Sequence, residues 1–127
     1  MPLFSRSRIG IPNPLTPVAA TAYQATNSRQ PAVVTVNLTS SAALSLSGGS
    51  TNSAQIVIGA TNAVASGTGT VVGLYSNSNT GSLSIGLNIS TVQAVPVSFS
   101  LPVGWFWAWR ITAGTVTVTS AFDQAIG

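Results

Sequence analysis

A chain of 127 residues has room for one domain with a sizeable core and not for two. Its charged residues, Arg6, Arg8, Arg29, Arg110 and Asp123, are 4% of the sequence against about 25% in an ordinary domain, and His, Cys, Lys and Glu are absent. That inventory leaves no base for a Ser-His-Asp relay, no carboxylate pair within one subunit for glycoside hydrolysis and no ligand set for Zn²⁺ or Ca²⁺, so neither an enzyme nor a cofactor is expected.

Residues 1–17 carry four of the seven prolines, Pro2, Pro12, Pro14 and Pro17, spaced so that neither a helix nor a central strand forms. This stretch is expected to be an extended assembly arm, with Leu3, Phe4, Ile9, Ile11 and Leu15 as apolar anchors and Arg6 and Arg8 free to meet carboxylates or carbonyl oxygens of a neighbour. Residues 18–127 are expected to form a single β-domain. Val18 to Thr26 reads as an edge strand. Val34, Val36 and Leu38 alternate with Val33, Thr35 and Asn37, and Ala42, Leu44 and Leu46 continue the pattern to Gly48-Gly49, as two strands or one bent strand. Ser50 to Ser53 reads as a loop leading to Ile56 and Ile58, and Ala60 to Gly69 as a long loop.

Val71 to Ser76 is the next strand, in which Gly73 signals a bulge or a close backbone approach. Asn77 to Gly81 is expected to be a hairpin connection. Strict alternation of Leu83, Ile85, Leu87 and Ile89 with small polar residues then marks a half-buried strand.

The C-terminal quarter holds all three tryptophans. Val95, Val97, Phe99 and Leu101 share one face of a strand, and Trp105, Trp107, Trp109 and Ile111 share one face of the next. Pro102-Val103-Gly104 forms the turn between them, and Ala113-Gly114 leads into Thr115 to Thr119. The three segments read as an antiparallel meander whose middle strand, apolar on both faces, is covered on both sides by a second sheet or another subunit. Core packing is the leading reading of the tryptophan stripe, a subunit interface the second and a sugar-stacking platform the third. Arg110 lies on the face opposite the stripe. It is either an arginine snorkelling along a sheet edge or one half of an ion pair with Asp123, the only acid.

Many short strands, turn signals every eight to twelve residues and no helical periodicity indicate an all-β fold: an antiparallel β-sandwich of jelly-roll type with an extended Pro-rich N-terminal arm. The high isoelectric point reflects missing acids rather than a basic patch, so no nucleic-acid partner is expected. No stretch of eighteen apolar residues and no apolar signal region occur, so no membrane span is expected either. A surface this poor in charge is expected to be covered in part by other subunits.

Two motifs carry a resemblance. Asn79-Thr80-Gly81 followed by Leu83, Ile85, Gly86 and Leu87, and Pro102, Gly104 and Trp105 running into Arg110, with Gln124 near the end, resemble small β-sandwich virion structural proteins of tailed bacteriophages. These include head decoration (cement) proteins and fibre-terminal domains. The resemblance covers the C-terminal half, and the chain departs from it in its tryptophan-rich strand. It implies a place in the virion, assembled in the host cytoplasm, a homotrimer, and major capsid or tail proteins as partners. A capsid decoration or cement protein is the leading expectation, because no shaft repeats or heptads are present to carry a distal tip and the Pro-rich arm suits lying across neighbours. The alternative is a tail-associated receptor-binding module that recognises a host surface glycan.

Overall fold

The computed structural model describes residues 10–45, 48–79 and 89–126. Among these residues eight strands form in chain order: β1 (Asn13–Leu15), β2 (Tyr23–Gln24), β3 (Ala32–Ser45), β4 (Gly48–Gly59), β5 (Thr70–Asn79), β6 (Ile89–Leu101), β7 (Phe106–Ala113) and β8 (Thr117–Ala125). A 3-10 helix, Asn62–Ser66, sits between β4 and β5.

The strands make two antiparallel four-stranded sheets packed together as a β-sandwich. One has the order β1-β8-β3-β6 and the other β2-β7-β4-β5. Most of the pairing is nested. β1 pairs with β8, β2 with β7, β3 with β6, and β4 with β5. Among the described residues the long strands β3 and β4 also pair with each other and so join the sheets, through Leu44↔Gly49 and Ser45↔Gly48.

Period-two alternation places the core. Val34, Val36 and Leu38 of β3, Phe99 and Leu101 of β6, Ala54, Ile56 and Ile58 of β4, and Trp107 and Trp109 of β7 are buried in one cluster between the sheets. The Phe99 and Trp107 rings meet edge-on at 5.7 Å across the gap, a geometry that aromatic quadrupoles favour. Outward residues of β3 are joined by small polar bridges, such as Thr35 Oγ1 to Ser98 Oγ at 2.9 Å and Asn37 Nδ2 to Ser120 Oγ at 2.7 Å.

Two features of β5 match its sequence. A register shift opposite Ile56 and Val57 leaves one extra residue in the strand, and a Cβ on Gly73 would stand 2.5 Å from Val97 Cγ1 of the facing sheet. The bulge and the close approach therefore coincide at one glycine.

Several expectations need correction. The segments β6, β7 and β8 are not a meander, because β6 and β8 flank β3 in one sheet while β7 lies between β2 and β4 in the other. The turn at Pro102 to Trp105, closed by Trp105 N–H donating to Pro102 O at 3.1 Å with Gly104 at φ +76°, carries the chain across the sandwich. A strand face is equally buried whether its sequence neighbour lies beside it or opposite it, so alternation does not distinguish a hairpin from an arch. On the outer face of β7 the 3-10 helix supplies cover from within the chain, as Val57, Val64 and Ala108 form a second buried cluster with Ala22 and Phe106.

The boundary at residue 17 runs through the sandwich. Asn13–Leu15 is an edge strand, with Pro14 opposite Phe122, where a proline is tolerated because an edge needs no second ladder of hydrogen bonds. Ser50 to Ser53 belongs to β4 and Asn77 to β5, so neither is loop. Their serines and asparagines look like turn formers in one dimension, yet they pair along a sheet end where hydrogen-bonding side chains are satisfied. Residues 18 to 26 form only the two-residue strand β2, and the segment from Ala60 to Gly69 contains the 3-10 helix.

Candidate binding pocket

After Leu15 the chain leaves one sheet and crosses to the other, arriving as Tyr23 and Gln24 beside Trp107 and Phe106. Three hydrogen bonds fix this crossing. Trp109 Nε1 donates to Pro17 O at 3.2 Å, Ala20 N–H to Trp109 O at 2.8 Å, and Val18 N–H to the Tyr23 hydroxyl at 2.7 Å. Ala20 holds φ +57°, a left-handed conformation costing a non-glycine residue roughly 1–2 kcal/mol, which these contacts must outweigh.

Beneath the crossing lies a cavity of about 270 Å³, lined by residues 14–17, by Tyr23 and Gln24 and by Trp107. The lining holds no charged group. Gln24 Nε2 is engaged with Gly104 O at 3.1 Å. Trp107 is fully buried and stacks at a tilt on Tyr23, 5.6 Å between centroids, and its indole Nε1 has no hydrogen-bond partner among the described residues. Its neighbour Trp109 is satisfied by Pro17, so the two buried indoles differ in this one respect. A buried donor without an acceptor costs roughly 1–3 kcal/mol.

Beside the pocket is the only acid. Asp123 is 1% exposed on the inner face of β8, in a row that runs from Asn13 through Asp123 to Val34 and Phe99. Its Oδ2 accepts from Thr26 N–H at 2.7 Å and Thr26 Oγ1 at 2.9 Å, and its Oδ1 accepts from Asn13 Nδ2 at 3.1 Å. The carboxylate thus ties β1, β8 and the segment after β2 together.

Arg110 and Asp123 do not form an ion pair. They occupy different sheets, and the Asp123 oxygens accept from the neutral donors of Thr26 and Asn13 instead. Arg110 is half-buried on the outer face of β7, where its guanidinium lies over Gly67 so closely that a Cβ there would collide with Nη1. Its Nε is buried without a partner among the described residues.

Of the expected core residues, Phe99, Trp107 and Trp109 are buried and Trp105 packs half-buried against the same cluster. Ile89 opens β6 opposite Leu44. Leu15 packs on the core, whereas Ile11 is 83% exposed. Leu3, Phe4, Arg6, Arg8, Ile9, Leu83, Ile85 and Leu87 lie outside the described residues.

At the opposite end of the sandwich a polar network was not legible in the sequence. Tyr75 Oη donates to Gln93 O at 2.6 Å and lies 2.8 Å from Ser40 Oγ, and Asn77 Nδ2 donates to Ser40 O at 3.0 Å. Asn52 donates to Ser41 O at 3.0 Å and accepts from Thr115 N–H at 2.9 Å. A second cavity, of about 410 Å³ and lined by Thr39, Ser40, Ser41, Val92, Thr115 and Thr117, opens beside it. The one available signal was asparagine within otherwise alternating segments.

The first pocket, lined by proline, leucine and aromatic side chains with Thr16 and Gln24 and no charged group, suits an uncharged, largely apolar occupant. Among the described residues no three groups able to ligate a metal come together. Comparison of the chain with family models, with curated proteins and with solved structures finds no match.

Proposed function

We propose that the chain is a non-enzymatic structural protein of a tailed-bacteriophage virion, a capsid decoration or cement subunit that self-associates as a trimer and lies against the major capsid protein. The observation that carries this reading is the strand order. Nested pairing of β1 with β8, β2 with β7, β3 with β6 and β4 with β5 corresponds to the winding of an eight-stranded jelly roll, an architecture used by viral capsid and lectin domains. The titratable inventory adds to it, because the single acid is consumed in joining strands.

The test is twofold. Sedimentation of the purified protein at micromolar concentration gives a trimer, and the protein rebinds emptied phage capsids. A monomer that ignores capsids overturns the reading.

The second reading, a tail-associated module recognising a host surface glycan, is favoured by the pocket at Tyr23 and Trp107, since jelly rolls also serve as lectins. Specific binding on a glycan array together with no binding to emptied capsids selects it.

A further inference from the structure

Each sheet ends in two edge strands, and among the described residues three of these four edges are blunted. Short strands, prolines and charges are the devices that keep an edge from pairing with another chain. β1 has three residues and carries Pro14, and β2 has two residues. β6 is long, but its pairing with β3 runs through Asn37↔Pro96 without a shift, so the N–H that the proline lacks falls on the open side and its ring obstructs a further strand. β5 is the exception. Among the described residues it pairs with β4 alone, and along Thr70–Asn79 it holds neither a proline nor a charge.

The bulge opposite Ile56 and Val57 interrupts only the first residues of β5, and Gly73–Asn79 pair with Ser50–Ile56 in unbroken register. Along this regular stretch Tyr75 and Asn77 are buried against the core, whereas Leu74, Ser76 and Ser78 are exposed, Leu74 by 75%. A strand with one neighbour presents N–H and C=O groups along its free side that water or another strand must satisfy. β5 and β6 meet the β3–β4 pair at the same end of the sandwich, Asn79 opposite Ser50 and Ile89 opposite Leu44, so the link between them starts and finishes there, away from Gly73 and Leu74.

We propose that β5 of one subunit pairs antiparallel with β5 of a second copy about a two-fold axis, joining two four-stranded sheets into one of eight. That is still an ordinary sheet size. The second copy is the occupant for reasons of symmetry and charge. Its β5 is an edge of the same length with the same unmet bonds, so one two-fold contact satisfies both edges at once. No charged residue lies between Arg29 and Arg110, so no like charges meet across the axis, and the edge offers nothing by which a charged partner is selected. Leu74 of each copy gains cover from the added strand. The contact goes beyond the proposed trimer and does not depend on it. A single edge is small beside the roughly 1,200–2,000 Å² of a standard stable interface, so its Kd is expected to be micromolar or weaker.

Sedimentation velocity of the whole chain, from micromolar to near-millimolar concentration, is expected to show the mass doubling, a trimer to a hexamer or a monomer to a dimer. Hydrogen exchange read by mass spectrometry on the same samples is expected to slow at residues 73–78 as the mass doubles and to stay unchanged at residues 94–100 of β6. Leu74→Lys is expected to weaken the doubling roughly tenfold, because it removes the apolar contact and brings two ammonium groups to the two-fold axis. Ser100→Lys, also at an exposed position but on the blunted edge β6, is expected to leave it unchanged, with circular dichroism spectra of both variants matching the parent. Doubling that Leu74→Lys leaves intact, or that Ser100→Lys abolishes, contradicts the assignment. Slow exchange at residues 73–78 already at the lowest concentration, with no doubling, means that the edge is covered within the subunit and overturns it. Protection that appears only when emptied phage capsids are added gives the edge to a strand of another protein and overturns the second copy as occupant. A trimer that never doubles sinks this inference and leaves the trimer standing, whereas a monomer that doubles supports the inference and sinks the trimer.

Discussion

Replacing Asp123 with alanine tests the packing logic of the whole N-terminal edge. The carboxylate is buried, and its removal strands three donors: Thr26 N–H, Thr26 Oγ1 and Asn13 Nδ2. Hydrogen bonds to a carboxylate contribute about 1.5–3 kcal/mol each when their donors cannot turn to water. Thr26 is exposed and Asn13 half-exposed, so both partly rehydrate once the acceptor is gone, and the sum is discounted to about 3–4 kcal/mol. That is a large share of the roughly 5–15 kcal/mol that holds a domain together, and for a chain of this length it corresponds to a fall of about 10–15 °C in Tm. Asp123→Asn keeps the shape but turns an amide N–H₂ toward one of the donors, and is expected to cost about half as much. Urea unfolding followed by tryptophan emission reads both variants, because Trp107 and Trp109 lie in the core that must open. The reasoning is refuted if Asp123→Ala loses less than about 1 kcal/mol, since the three contacts would then be worth no more than a surface substitution.

Gly73→Ala and Gly104→Ala separate two reasons for a glycine. The first drives a methyl into Val97 of the facing sheet and is expected to cost about 2–3 kcal/mol, while the second meets nothing within 4 Å and is expected to cost only the roughly 1 kcal/mol of its positive φ; equal losses in urea unfolding contradict this. Tyr75→Phe leaves Gln93 O without its donor and removes a partner of Ser40, for an expected loss of about 1–3 kcal/mol by the same assay, and a neutral result means water replaces the hydroxyl. Melting temperature is expected to be flat between about pH 5 and 9, because the groups that ordinarily titrate there, His and Cys, are absent and only the terminal amine remains; a shift of several degrees in scanning calorimetry at fixed salt reveals a bound partner or an assembly equilibrium.

Residue periodicity alone determined that this chain is built of strands and which face of each points inward. Val34-Val36-Leu38 and Trp107-Trp109 are buried as their alternation requires, because burial of every second side chain is a local property of a pleated backbone. Gly73 was legible for the same reason, as a missing side chain inside an apolar run signals a close approach wherever the partner comes from. Partnership between strands is not local. Whether β7 continues a meander or crosses to the opposite sheet depends on which of two equally apolar surfaces it meets, and only the assembled sandwich chose β2 and β4. Tertiary structure also decided the fate of the polar residues. Asp123 reads as a partner for Arg110 when charges are counted along the chain, but in space the Thr26 and Asn13 donors reach it and the guanidinium does not. Asn52 and Asn77, which look like turn residues, are buried because backbone carbonyls brought from distant strands satisfy them. The pocket at Trp107 is likewise a product of three-dimensional placement, since it needs β1, the crossing to β2, and β7 to converge on a single buried indole.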